Sequence, residues 1–171
     1  SNNDYSFERS VKQITGCEIH TFDPTMDRNF LFSGASYSTF HAVGLTVQTP
    51  LSAIMESLGH EQRDLDILKI DCEGCEFSTL LPVFKDIARG KLRVHQLLVE
   101  MHHSRSQEGR LIVPFFAAAD RAGMRMFHKE MNPDCPGCFE YAWISEHQAQ
   151  RAFKNAHCPN TQLPSIERIS P

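Results

Sequence analysis

The sequence predicts an α/β domain: a mostly parallel sheet with an antiparallel hairpin at one edge and helices on both faces. Three observations predict it. Strand-like and helix-like stretches alternate along most of the 171 residues, which implies right-handed crossovers between parallel strands. The stretch LDILKID, residues 65–71, shows little apolar–polar alternation, as expected of a parallel strand buried on both faces. The last two strand-like stretches follow one another without a helix, so they are expected to pair antiparallel at an edge.

The elements follow in order. SFERSVKQITG reads as a helix stopped by Gly16. CEIHTFDP is a short strand that ends at Asp23 and is broken by Pro24. Residues 26–34 read as loop and TFHAVGL as a second strand. TPLSAIMESLGH carries helix punctuation, with Thr49 as N-cap, Pro50 at the first helical position and Gly59 at the stop. After LDILKID comes the helix GCEFSTLLPVFKDIARG, expected to bend or restart at Pro82. VHQLLVEMH is a strand, and GRLIVPFFAAADRAG a helix ending at Gly123. MRMFHKE and CFEYAWISE are the hairpin strands, on which Tyr141 and Trp143 share a face and are expected in the core. HQAQRAFKNAH is a last short helix before a polar tail.

A chain of this length can bury a substantial core within one domain. Apolar residues make up 41% and charged residues 22%, with a net charge of −4, an ordinary composition for a globular chain. A mildly acidic chain without a Lys/Arg cluster argues against nucleic acid as a partner. No apolar run approaches the roughly 20 residues needed to span a bilayer, and the opening SNNDYSFERS is too polar for a secretory leader.

The six cysteines are Cys17, Cys72, Cys75, Cys135, Cys138 and Cys158. Cys72 and Cys75 read as small buried thiols. Cys135 and Cys138, in NPDCPGCF, leave three readings open: loop thiols, a disulfide within the loop or to Cys158, or zinc held with His157 and Cys158. A thioredoxin-like role is excluded, because this CxxC precedes a strand instead of following one.

An open α/β sheet places its ligand outside the carboxyl ends of the parallel strands. Asp23, the Asp71/Glu73 pair, and Glu100 with His102 and His103 all fall at such ends. Two nearby carboxylates repel and raise one pKa, which suits Asp71 and Glu73 to general-base work. They are equally able to hold substrate hydroxyls, an ammonium group or a divalent metal, and no metal ligand is assigned. Glu76, in the first helical turn, offsets the helix dipole. Alternation puts Glu100 and His102 on one face. His102 has a pKa suited to accepting a proton from an attacking hydroxyl. The plainer reading is a surface histidine, one of nine in the chain. Neither a G-x-S-x-G nor a P-loop is present.

The segments SNNDYSFE, GCEIHTFDPT, FHAVGL, LGHEQRDLDILKIDCEGCEF, LLVEMHH and CFEYAWI, in that order, carry a family likeness. With them the chain resembles the FkbM-type, S-adenosylmethionine-dependent methyltransferases, in their methyltransferase-like branch. The resemblance implies a Rossmann-like methyltransferase sheet whose first strand and glycine loop lie before Ser1. Residues 1–158 are then an N-terminally incomplete domain and 159–171 a polar tail. It places Asp23 on the cofactor's ribose hydroxyls, although Asp-Pro also favours a plain turn. Asp4 faces the cofactor's amino group or caps the first helix. Gly44 lies where the adenine sits or is a turn residue. Asp71 joins these residues at the cofactor. The activity it implies is methyl transfer from S-adenosylmethionine to a hydroxyl oxygen of a small molecule or glycan. Two other classes compete: a non-catalytic module that keeps the fold for binding, and a nucleotide-binding oxidoreductase. The last needs a G-x-G-x-x-G loop before the first helix.

Overall fold

The computed structural model describes residues 4–26, 36–102 and 109–155. His103, His157, Cys158 and the tail 159–171 lie outside them, as does most of the loop expected over 26–34. The described residues form a mixed α/β fold with five helices and two sheets. In chain order these are α1 (Ser6–Thr15), β1 (His20–Phe22), β2 (Thr39–His41), α2 (Leu51–Ser57), β3 (Leu65–Ile70), α3 (Glu76–Ala88), β4 (Val94–His102), α4 (Gly109–Arg121), β5 (Met124–Met131), β6 (Cys138–Ser145) and α5 (Glu146–Asn155).

Among the described residues the strands fall into two sheets, not the single, mostly parallel sheet expected. β1 and β2 pair parallel with each other, while the second sheet has the order β3-β4-β6-β5. Within the second sheet only β3–β4 is parallel. β6 inserts antiparallel between β4 and β5, so the hairpin occupies one edge as expected. The resemblance sets one more strand between β1 and β3, and none of the described residues fills that position. As a result β3 is an edge strand. Asp66 and Lys69 are exposed and Ile70 is its one buried residue, so the reading of LDILKID as buried on both faces is corrected.

Local signals account for most boundaries. Gly16 adopts the left-handed conformation (φ 69°) that ends α1. Pro82 does not interrupt α3, which runs unbroken from Glu76 to Ala88. α2 starts one residue later than expected. Pro50 is its N-cap, and the Thr49 amide donates to the Thr46 hydroxyl at 3.0 Å instead of Thr49 capping the helix.

The core lies between α3, α4 and one face of the larger sheet. Phe115 is fully buried and meets Phe77, Phe84 and Trp143 edge-on, at 5.3, 5.1 and 6.1 Å between ring centroids. Leu97, Val99, Met101, Tyr141 and Trp143 supply the sheet side of this cluster, which confirms the core placement of Tyr141 and Trp143. On α1, the Phe7 ring lies under the Lys69 ammonium of β3, 5.6 Å from it. Among the described residues no helix is long and apolar enough to cross a membrane.

Candidate functional site

The parallel strands β3 and β4 end side by side, and the chain leaving β3 turns sharply there. Asp71 follows the strand, exposed. Cys72 and Cys75 are joined in a disulfide, not the free thiols the sequence suggested. Between them Glu73 adopts φ 56° and Gly74 φ 110°. Glycine takes such a conformation without penalty, whereas for glutamate it costs on the order of 1 kcal/mol. The tight turn carries Glu76 inward at the start of α3.

Glu76 is the residue that the sequence undervalued. It is 0% exposed. Its Oε1 accepts from the amides of Gly74 (3.1 Å) and Cys72 (3.3 Å), and lies 2.9 Å from Nδ1 of His102, the last residue of β4. Its Oε2 has no partner among the described residues. A carboxylate at a helix start needs only an exposed position to offset the dipole; this one is buried beneath an imidazole. On the other side of the ring, His102 Nε2 lies 3.3 Å from Oε2 of Glu73. His102 is itself buried, at 7% exposure, so it is not a surface histidine. Asp71, Glu73 and His102 bring ligand-type atoms within 4.8 Å of one another.

Two opposing effects set the protonation of His102. Burial disfavours the imidazolium, but the Glu76 hydrogen bond and the charges of Glu76, Glu73 and Glu100 outweigh it and raise its pKa above the ordinary histidine value. A second carboxylate pair adjoins it. Glu100 of β4 stands opposite Glu140 of β6 in the ladder. Burial, and then the Glu100 carboxylate, push Glu140 upward, while Asn132 donates to Glu100 at 2.8 Å. Like charges facing across an antiparallel pair are unfavourable unless one is protonated. The sequence flagged Glu100 but missed Glu140, because the partner depends on the β4–β6 register.

At the ends of β1 and β2 a different set gathers. The Asp23 amide donates to the His41 carbonyl at 3.1 Å, which sets Asp23 at the exit of both strands. Its Oδ1 accepts from the Thr25 amide (2.9 Å) and hydroxyl (2.6 Å), so the turn reading holds. Burial works to raise its pKa, yet these bonds bring it below the usual carboxylate range. Gly44 packs on Pro24, where an added Cβ would lie 3.0 Å from the proline Cγ. A cleft of about 400 Å³ is lined by Phe40, His41, Ala42 and Val43. Asp4 accepts from the Ser6 amide at 2.9 Å, which lowers its pKa and holds the start of α1.

Of the residues predicted for the site, the structure therefore brings Asp71, Glu73 and His102 into one cluster. Asp23 and Gly44 meet through Pro24, and Asp4 sits at the foot of α1. Cys135 and Cys138 form a disulfide within their loop. Compared with known families, residues 1–145 match the model of a methyltransferase domain. Among curated proteins none matches the chain.

Proposed function

Because the chain belongs to the methyltransferase-domain family, we propose that it transfers a methyl group from S-adenosylmethionine to a hydroxyl oxygen of a small molecule or glycan, with His102 as general base. The observation that carries this reading is the buried His102 ring, held on Nδ1 by Glu76 at 2.9 Å and faced on Nε2 by Glu73 at 3.3 Å. We read the two sheets as parts of one Rossmann-like sheet of the FkbM type. Asp23 is the residue for the ribose hydroxyls, and the cleft at Phe40–Val43 the place for the adenine.

S-adenosylmethionine, when bound, supplies an electrophilic methyl group on a sulfonium that is already a good leaving system. The protein's task is alignment and removal of one proton. Glu76, fully buried, accepts Nδ1–H, so the neutral form of His102, reached once Nε2–H has left by way of Glu73, has its lone pair on Nε2, where it can take the hydroxyl proton. Glu73 then accepts the new Nε2–H. With its side chain 81% exposed, it passes the proton to water. Asp71, exposed beside them, is suited to holding the acceptor's hydroxyl or the cofactor's ammonium.

The test separates binding from chemistry. Calorimetry with S-adenosylhomocysteine is expected to give equal affinity for the wild type and His102→Gln. Transfer of labelled methyl groups to panels of hydroxyl-bearing small molecules and glycans is expected to fall at least about 100-fold in the variant. An absence of both heat and thermal shift with S-adenosylhomocysteine would reject the reading in favour of a non-catalytic module. Full turnover by His102→Gln would remove the base.

A further inference from the structure

A second cluster of ligand-type side chains forms from elements that the His102 site does not use. His20 opens β1, His60 lies in the turn after α2, and Glu18 precedes β1. His20 Nε2 is 3.0 Å from Glu18 Oε1, and His60 Nε2 is 3.6 Å from Glu18 Oε2. Both imidazole side chains are only 15% exposed. Arg63 closes the group, its Nη1 2.9 Å from Glu18 Oε2 and 2.8 Å from His60 Nε2.

That last contact fixes the chemistry of His60. A guanidinium only donates, so His60 Nε2 must accept, and its lone pair points into the cluster. A carboxylate oxygen and an imidazole lone pair thus already converge on a cation. His20 is backed in a complementary way. Its Nδ1 lies 2.9 Å from His41 Nε2, and His41 is held by stacking on Phe22 at 4.6 Å. The Glu18 carboxylate only accepts, so without an ion His20 Nε2–H donates to Oε1; when a cation displaces that proton and Nδ1–H turns to His41, the Nε2 lone pair joins the same convergence, the arrangement by which a second-layer acceptor orients a metal-binding histidine.

We propose that Glu18, His20 and His60 form a binding site for a zinc-type divalent transition-metal ion, which displaces the Arg63 guanidinium. Bonds of about 2.0 Å at tetrahedral angles separate ligand atoms by about 3.3 Å. The present separations, 3.0 Å from His20 Nε2 to Oε1 and 3.6 Å from His60 Nε2 to Oε2 of the same carboxylate, lie on either side of that value, and one ligand atom from each of the three residues can be chosen with all within 4.8 Å of one another. Arg63 can yield the position because its side chain is 57% exposed and water can take it up. Two imidazoles with one carboxylate favour zinc, nickel or copper over magnesium or calcium. The ion would join β1, and through His41 also β2, to the turn that leads into β3. It fastens the small sheet to the segment entering the large one, with water in the fourth position.

The experiment titrates Zn²⁺ into the chelator-treated full chain by calorimetry, with Mg²⁺ as control. One Zn²⁺ per chain is expected, bound at least tenfold more weakly by His60→Gln and Glu18→Gln, unchanged in His102→Gln, and at least tenfold tighter in Arg63→Met. Melting curves of the metal-free variants report folding. In the wild type, which needs no substitution, the imidazole ¹⁵N signals of His20 and His60 are expected to shift on zinc addition. The proposal is overturned by no Zn²⁺ binding, by binding that survives His60→Gln, by binding lost with His102→Gln, by unmoved His20 and His60 signals, or by Arg63→Met binding no tighter than wild type.

Discussion

Replacing Glu76 tests whether it is a strut under His102 or merely a helix-end charge. In Glu76→Ala, the amides of Cys72 and Gly74 and Nδ1 of His102 lose their acceptor. The turn is half-buried, so each loss belongs near the lower end, about 1 kcal/mol, of the cost of an unsatisfied buried group. Truncating a side chain that is 0% exposed leaves a void worth about another 1 kcal/mol, giving a total near 4 kcal/mol. Glu76→Gln keeps the volume and a carbonyl for the two amides but loses the charge opposite His102, so it should cost about 1–2 kcal/mol. Because the His102 pKa is raised in the fold, its contribution to stability is full below the unfolded value of about 6.5 and is lost as pH rises through the folded value. The gap between wild type and Glu76→Gln should therefore be widest in mild acid and narrow towards alkaline pH. Urea unfolding across pH measures this directly. A cost for Glu76→Ala below about 1 kcal/mol, or a gap that widens with pH, would refute the reasoning.

Asp23→Ala should weaken S-adenosylhomocysteine binding about 10–100-fold by calorimetry, the worth of a hydrogen bond to a charged acceptor. Asp23→Asn, which keeps the Thr25 turn, should show whether that loss comes from the charge. Glu73→Gln should keep cofactor affinity within about twofold while turnover falls about tenfold, less than the roughly 100-fold or more of the group that itself takes the proton; unchanged turnover would remove Glu73 from the mechanism. Phe115→Ala empties a position that is 0% exposed and should cost about 3–5 kcal/mol in urea unfolding. A loss under 1 kcal/mol would mean that α4 is not docked on the sheet as described.

Much of the fold was legible because its signals are local. Gly16 and Gly123 mark helix ends through their own backbone freedom, and the absence of a helix between β5 and β6 dictates their antiparallel pairing. The split into two sheets was not legible. Whether β1 and β3 share a neighbour depends on what lies between them in space, and no residue in either strand encodes that. The same limit explains β3. LDILKID carries the apolar density of a central strand, but its exposure was decided by what stands beside it. Thr49 failed as an N-cap for a smaller reason: the Thr46 hydroxyl takes its amide into a tight turn, and the helix starts one residue on.

The candidate site divides along a sharper line. Asp71, Glu73 and His102 could be read from the sequence because strand ends collect at one rim of an α/β sheet, whatever the tertiary detail. Glu76 could not, since its partner is 26 positions away and a helix-start charge already explains a glutamate there. The sequence sets Glu73 on the turn and Glu76 at the helix start, three residues apart, but does not show which is buried. Burial makes them different. The one that is 0% exposed lies 2.9 Å from Nδ1 of His102, inside the fold, while the one that is 81% exposed faces Nε2 from the solvent side. The left-handed turn at Glu73, closed by the Cys72–Cys75 disulfide, separates the two environments. A backbone reversal of four residues thus sets the two carboxylates apart, and, on the proposed mechanism, a substitution that relaxes the turn should impair turnover without touching either of them.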